Sequence, residues 1–489
     1  MKRLPNLKNR DILKYLIIAF LVIWAISSIY AKFLPSPEDI SIEGNVYNIS
    51  DEDIEFLYDL NYIKNNQTVI EQEIFEEVFK IINEAEKFIV IDMFLFNTDY
   101  SEKVRYKNLT TDMKNLLVKK KKEIPEIKIV FTTDEINNFY GDYVSEELLE
   151  LKENNISVVI TNNQKLRDIN FIYAGFWRAY VQWFGTSGNG WIAHPLGKIE
   201  EKVTLRSYLK LMNTKANHRK VIVADSGERL VSIVTSANPH EASSKHSNVG
   251  VKIFDSVALD ILRTEAGISS FSSKDETIKD IYENLELPKT EGEIKVQLLT
   301  EQKIRDGLLE EIKKTIEGEK IEMVMFYLSD RKIVKSLLSA SERGVEIEII
   351  LDPNKDAFAR EKSGIPNRQV AWELVKDSNH KIKIRWYDTK GEQQHSKITV
   401  IKKLNGKVIV FLGSANLTKR NIGDYNLEMN VKIITPLGTK FEKEIERFFS
   451  DLWINRTGHY TTEFEDYEDR SFGKYLLYRF QEATGLSSF

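Results

Sequence analysis

The sequence contains no cysteine. That excludes disulfides, thiolate nucleophiles and cysteine-built metal sites. It also lacks an excess of positive charge. The net charge is -5 and the pI about 6.0, so the overall balance does not draw the chain toward nucleic acid. Histidine is scarce, with 7 in 489 residues, so each one can be weighed separately. The remaining composition is ordinary for a globular protein: 42% hydrophobic and 29% charged residues leave enough apolar material for full cores. The length fits two domains or a fused pair.

One stretch does not read as globular. Tyr15 to Ala31 carries no charge. With Leu13 and the snorkelling Lys14 and Lys32 at its ends, it is long enough to cross a bilayer. Its exit, IYAKFLPSPED, is a poor small-x-small cleavage site, so residues 1–36 read as a stub and retained anchor rather than a signal peptide. Lys2, Arg3, Lys8, Arg10 and Lys14 lie on its near side against Asp11 alone, and Glu38, Asp39, Glu43, Asp51, Glu52 and Asp53 follow it. A basic flank stays in the cytoplasm. The expectation is a single-pass cell-membrane protein with its body on the extracytoplasmic side.

Past Pro37, helical and strand patterns alternate. Ile74, Phe75, Val78, Ile81 and Ile82 recur on one helical face, and the apolar run FIVIDMFLF (88–96) follows as a buried strand. The strands IKIVFTT (127–133) and ISVVIT (156–161) come next, with helices between. The order then repeats: LLEEIKKTIEGEKIEMVMFYL (308–328), IEIILDP (347–353) and IKIRWYD (382–388) mirror the first set, and Met93-Phe94 is answered by Met325-Phe326. This predicts an α/β protein of two similar α/β/α lobes, 37–285 and 286–489, after a transmembrane helix. The halves differ where the first carries a long insertion before His218, including FIYAGFWRAYVQWFGTSGNGWIAHPL (171–196).

The repeat is tightest at NHRKVIVAD and QHSKITVIK. His218 and His395 have the same separation as Lys220 and Lys397, and Asn238 and Asn416 keep it to within one residue. Asn248 and Asn426 keep it equally well. In H-x-K on a strand, positions i and i+2 face the same side. Each half thus offers an imidazole, an ammonium and a later amide. Two lysines and two asparagines suit a phosphoryl group, whose oxygens gain charge in the transition state. One histidine can attack phosphorus while the other protonates the leaving oxygen.

These residues resemble the H-x-K…D…G-S-x-N signature of the phospholipase D superfamily, over roughly residues 60 to 485. LRSYLKLMNTKANHRKVIVAD and the ending GLSSF are similar to bacterial membrane-associated phospholipase D-like proteins. The resemblance implies two lobes sharing one active site, a covalent phosphohistidine intermediate, and no metal or other cofactor. It makes His218 the nucleophile and His395 the general acid. It implies phospholipid and membrane as partners, with a phospholipase D-type phosphodiesterase or phosphatidyltransferase activity on headgroup phosphodiesters. A cardiolipin synthase-type transferase is the alternative, although such proteins usually carry two membrane segments. A nuclease of the same superfamily is a further alternative that the acidic balance and the anchor disfavour, so no nucleic acid partner is expected.

Two departures stand out. The motif aspartate, structural in the family, is Asp225 in the first half but Lys402 in the second. The carboxylate that in relatives holds the histidine's far nitrogen is Glu428 in the second half, where it is expected on His395. Counting places Gly250 opposite it in the first half, leaving Glu241 and Asp255 as candidates for His218. Ser236 and Ser414 are supporting candidates. His240 and His246 fall in a polar loop and read as surface residues. Trp177 and Trp183 of the aromatic insertion are candidate lipid contacts.

Overall fold

The computed structural model describes residues 9–98, 107–195, 202–255, 257–285, 290–357 and 360–487. Lys2, Arg3 and Lys8 of the basic flank, and the expected junction at 286, lie outside the described residues. The chain opens with α1 (Asn9–Phe33), roughly 37 Å long at 1.5 Å per residue. It is long and apolar enough to cross a membrane.

The first lobe follows. β1 (Glu43–Ile49), β2 (Ile54–Lys64), β3 (Gln67–Gln72), α2 (Ile74–Glu84) and β4 (Phe88–Met93) lead to α3 (Leu109–Glu123), β5 (Lys128–Thr133), α4 (Glu146–Glu153) and β6 (Ser157–Ile160). The insertion holds α5 (Phe171–Phe176), a small hairpin of β7 (Ile192–Ala193) and β8 (Lys202–Val203), and α6 (Leu205–Leu211). β9 (Lys220–Ser226), β10 (Arg229–Thr235), β11 (Asn248–Phe254), α7 (Ala258–Ser273) and α8 (Thr277–Tyr282) complete it. Every residue of β4 is buried, as a continuous apolar run requires when both faces are covered. Ile74, Phe75, Val78, Ile81 and Ile82 of α2 are all buried, as their spacing predicts.

The second lobe repeats the plan. It runs β12 (Ile294–Thr300), α9 (Gln302–Lys313), β13 (Lys320–Met325), α10 (Arg331–Glu342), β14 (Glu346–Leu351), the short pair β15 (Asp356–Ala357) and β16 (Arg360–Glu361), and α11 (Asn367–Asp377). Then come β17 (Ile382–Tyr387), β18 (Lys397–Lys402), β19 (Lys407–Gly413), β20 (Met429–Pro436), α12 (Lys440–Ile454), β21 (Thr461–Glu463) and α13 (Phe472–Thr484).

The first sheet has the order β3-β2-β11-β10-β9-β4-β5-β6, and the second β1-β12-β20-β19-β18-β13-β14-β17-β21. In each, a parallel trio (β4-β5-β6; β13-β14-β17) abuts an antiparallel set through the strand bearing the motif lysine. Lys220 stands opposite Met93, and Lys397 opposite Met325. β1 does not join the sheet of the strands that follow it. It pairs antiparallel with β12 at the edge of the other sheet, Ile49 against Ile294.

The lobes share one interior. A single apolar cluster contains Val221, Val223 and Val249 from the first sheet and Ile398, Val400 and Met429 from the second. Each fully buried aliphatic side chain contributes about 1.5–3 kcal/mol. Behind the motif, the fully buried Arg219 ties the sheets further. Its Nη1 lies 3.0 Å from Glu265 and its Nη2 2.7 Å from Glu301 of the second lobe.

Candidate active site

Both motif histidines precede their strands and are gripped by the opposite lobe. The His218 amide donates to the Leu427 carbonyl (2.8 Å), and the His395 amide to that of Ser247 (2.7 Å). The pairing is reciprocal, since Leu427 N–H donates to Ala216 and Ser247 N–H to Gln393, each at 3.0 Å. Lys220 and Lys397 each donate to the carbonyl of their own histidine at 2.6 Å. Phe94 lies against His218 (ring centroids 4.8 Å) and Phe326 against His395 (5.0 Å), with the lysine ammoniums over the same rings. The two sets therefore meet across a pseudo-twofold junction.

The far nitrogens are held differently, and not as the spacing predicts. Glu428 is bound to His218, not to His395: His218 Nδ1 lies 2.9 Å from Oε1 and 3.0 Å from Oε2. His395 Nδ1 lies 3.1 Å from Asn248 Oδ1. Strand register gives the reason. Ser236 N–H donates to Val249 and Ser414 N–H to Met429, so Asn248 and Glu428 are the structural equivalents. The loop between them and the motif asparagine is longer in the second half, which displaces any match made by counting. Ser236 then donates to Asn248 (3.2 Å), just as Ser414 bonds Glu428, with Asn421 as a further donor to that carboxylate. The other candidates for His218 are engaged elsewhere: Glu241 accepts from Thr111, and Asp255 from Arg229 and the Leu230 amide. Asn426 accepts from the Ala216 amide just ahead of His218.

Electrostatics join the groups into one site. Burial pushes both histidines well below their ordinary range. Lys220 and Lys397 push His218 further, and Lys397, His246, Lys220 and His218 do the same to His395. Burial brings Lys220 down to about 7 against the pull of Glu428. Lys397 is lowered by burial and then by Lys220. Burial raises Glu428 to about 7. Burial disfavours the charged forms of both lysines, and an entering anion restores them. Unit charges 4 Å apart attract by about 4 kcal/mol at an effective dielectric of about 20. Asn238 Oδ1 and Asn416 Oδ1 are buried with no hydrogen-bond partner among the described residues. With Nδ1–H committed to Glu428, a neutral His218 keeps its Nε2 lone pair for attack.

The remaining expectations sort as follows. Asp225 accepts from three consecutive amides, Glu86, Lys87 and Phe88, and so braces the start of β4. Lys402 instead pairs with Glu322 and Glu446. His240 and His246 are not on the surface. Both are buried because their loop is folded under the second lobe, and His246 lies 5.8 Å from His395. Trp183 is 73% exposed, but Trp177 is only 3% exposed and is no lipid contact. Trp177 opens a wide π-type turn (Trp177–Val181) and Trp183 lies in the tighter 3-10 turn after it (Gln182–Phe184), so the two rings do not share one helical face. Arg420 was not singled out from the sequence. Buried, it adds its charge to the field at His218 and donates to the Ser487 carbonyl (3.0 Å). Only the fold brings that loop to the site. Among the described residues no cluster of His, Asp and Glu is arranged to hold a metal ion.

Two matched α/β/α lobes with paired H-x-K strands facing one another are the arrangement that the resemblance to the phospholipase D superfamily implies. Residues 308–453 match the family model for the cardiolipin synthase, phospholipase D-like domain. The second lobe is thus similar to that family's domain, and over nearly the whole chain the fold is shared with a solved structure. The phosphatidylserine synthase of Haemophilus influenzae Rd KW20 aligns over 94% of this chain and 98% of its own, with TM-score 0.58 and 11% identity. The phospholipase D family member Nuc of Salmonella typhimurium aligns over 34% of this chain and 98% of its own, with TM-score 0.27 and 23% identity. No curated protein sequence matches.

Proposed function

We propose that the protein is a membrane-anchored phosphodiesterase or phosphatidyltransferase acting on phospholipid headgroup phosphodiesters. The observation that carries this reading is the crossed pairing of His218 with Glu428 and His395 with Asn248 around two buried lysines. The cardiolipin synthase description of the matched domain supports a lipid substrate. The apolar α1 supports a membrane location, and the basic flank before it an extracytoplasmic body.

In this mechanism Lys220, Lys397, Asn238 and Asn416 hold the phosphoryl oxygens. Nε2 of His218 attacks phosphorus. The P–O bond to the leaving alcohol breaks, and His395 gives that oxygen its proton. The phosphohistidine carries positive charge, which Glu428 offsets. Burial disfavours the protonated His395 the first step needs, and the incoming phosphodiester anion restores it. His395 then takes a proton from water or an acceptor alcohol, whose oxygen displaces His218. Glu428 favours His218 as nucleophile because the neutral Asn248 offers His395 no counter-charge for a covalent cation.

The test is incubation of the full-length protein with a panel of headgroup-labelled phospholipids, with and without glycerol, in excess chelator. Headgroup release alone identifies a hydrolase; a new lipid formed only with glycerol identifies a transferase. In a parallel reaction with phospholipid labelled in the phosphatidyl part, rapid denaturation at alkaline pH, where the N–P bond survives, followed by peptide mapping should place the label on the peptide bearing His218. Label on the His395 peptide reverses the assignment. Activity lost on chelation and restored by a divalent ion removes the mechanism.

A further inference from the structure

The aromatic insertion is built onto the apolar helix α1. Tyr180 stacks on Phe20 (ring centroids 4.3 Å, planes 10° apart), and its hydroxyl donates to the Phe20 carbonyl at 2.5 Å. Phe176 meets Trp24 edge-on at 5.8 Å, and Trp24 Nε1 donates to the Ile172 carbonyl at 2.9 Å. Gly175 lies so close to α1 that a Cβ there would sit 2.6 Å from the backbone of Ser28. Lys32 lies over the Phe171 ring at 5.3 Å. As residue numbers rise along α1 they fall along the insertion, so the two segments run antiparallel from Phe20 to Lys32. Close approach at small residues is how helices pack where water provides no drive.

This placement bears on lipid. Phe20 lies near the middle of α1. A bilayer crossed by α1 therefore also receives the insertion, because the two are in contact over that length. The tip beyond Tyr180 is apolar and uncovered: Trp183 is 73% exposed and Phe184 72%. Of the two arginines nearby, one turns away and the other stays beside the tip, bonded to its backbone. Arg178 turns toward the body to bond Asp168 (2.8 Å) and lies over Tyr30, and Arg206 ties the return loop through the carbonyls of Gly185 and Ser187. Asp168 also bonds Lys215 at 2.8 Å, and Lys215 lies just ahead of His218. The chain of contacts runs from Arg178, ahead of the tip, to the segment just before His218 through buried side chains.

We propose that the insertion is a second membrane element. It is a wedge docked on the anchor that runs from the body-side surface to about the middle of the bilayer, with Trp183 and Phe184 at its tip, and the Arg178–Asp168–Lys215 triad holds the catalytic site at a fixed height above the body-side leaflet. The occupant of the apolar tip is the lipid bilayer itself. The contact stands whether or not the substrate is a lipid, and its test uses no activity measurement.

The natural lack of cysteine allows single labels in the full chain. Phe184→Cys carries an environment-sensitive fluorophore in proteoliposomes of phosphatidylcholine with phosphatidylglycerol as the minor lipid. Leu437→Cys, at a position 66% exposed on a turn of the second lobe, is the reference. The label at 184 should be quenched several-fold by spin-labelled acyl chains and shielded from iodide, and the label at 437 should show the reverse. Quenching of the 184 label by iodide as strongly as at 437 overturns the wedge. Shielding from both quenchers means another protein covers the tip and overturns it equally. Gly175→Leu, which crowds Ser28, should raise iodide access at 184 at least two-fold and leave 437 unchanged. If that variant does not fold, the depth measurement on Phe184→Cys decides alone.

Discussion

Glu428 and Asn248 hold matched histidines in matched places, yet one is a carboxylate and the other an amide. Glu428→Gln keeps an acceptor for His218 but removes the charge that offsets a covalent imidazolium. Carboxylate-to-amide changes behind a catalytic histidine cost roughly ten-thousand-fold in a hydrolase triad. A loss of roughly a thousand-fold or more in intermediate formation is expected here, measured by quench-flow, with a smaller loss for Asn248→Ala. Equal losses would remove the division of roles. The lysines give a second prediction. Burial holds Lys220 near 7, below its ordinary 10.5, so above pH 7 the empty site has released that proton. A bound anion recovers it. Binding of inorganic phosphate should therefore take up protons above about pH 7 and fewer well below it, read by calorimetry in buffers of different ionisation enthalpy. Proton release above pH 7 would contradict the assignment. The motif residues His218, Lys220, His395 and Lys397 were legible as a repeated pattern. The partner of each histidine was not, because it lies in the other lobe and no spacing within one half encodes it.

Among the elements, β4 and β13 are equivalent strands, but only the start of β4 is braced by a side chain from the motif's acidic position. Asp225 accepts three amides at the start of β4, and its loss leaves the buried Phe88 donor unsatisfied at about 1–3 kcal/mol, while water can reach the part-buried Glu86 and Lys87 amides. Asp225→Ala should destabilise the protein by about 1–3 kcal/mol in denaturant titration. Lys402 serves no such turn: it pairs with the buried Glu322, which Lys320 also holds, and with the exposed Glu446. Lys402→Ala leaves Glu322 its second ammonium and should cost less than Asp225→Ala, and an equal cost would show that it replaces the aspartate's role. The strands at 88–93, 128–133 and 157–160 were readable because continuous apolar runs have few other structures open to them. The insertion was readable as aromatic but not as oriented. Trp177 and Trp183 look alike in sequence, and only the packing of α5 on α1 turns one inward.

For the molecule as a whole, the two motifs form a single unit. His218→Ala and His395→Ala should each lose nearly all activity, and the double variant should be no worse, since groups acting together are non-additive. Substantial turnover by either single variant would mean that each half works alone. The shared apolar interior and the Arg219–Glu301 bridge point the same way, because neither sheet covers its junction face without the other.

The pairing of β1 with β12 has a consequence for how the chain is made. Residues 43–49 leave the ribosome directly behind the anchor, yet their partner at 294–300 follows only roughly 250 residues later, about 12–50 s at about 5–20 residues per second. Through that interval, on the membrane-anchored reading proposed above, a tethered strand carries an unpaired edge, the kind of edge that recruits other chains. Its neighbours on the bilayer would be nascent copies in the same condition. Crowded synthesis is then the stage at which this protein is most exposed to mispairing, and completion of the second lobe is the event that ends the exposure.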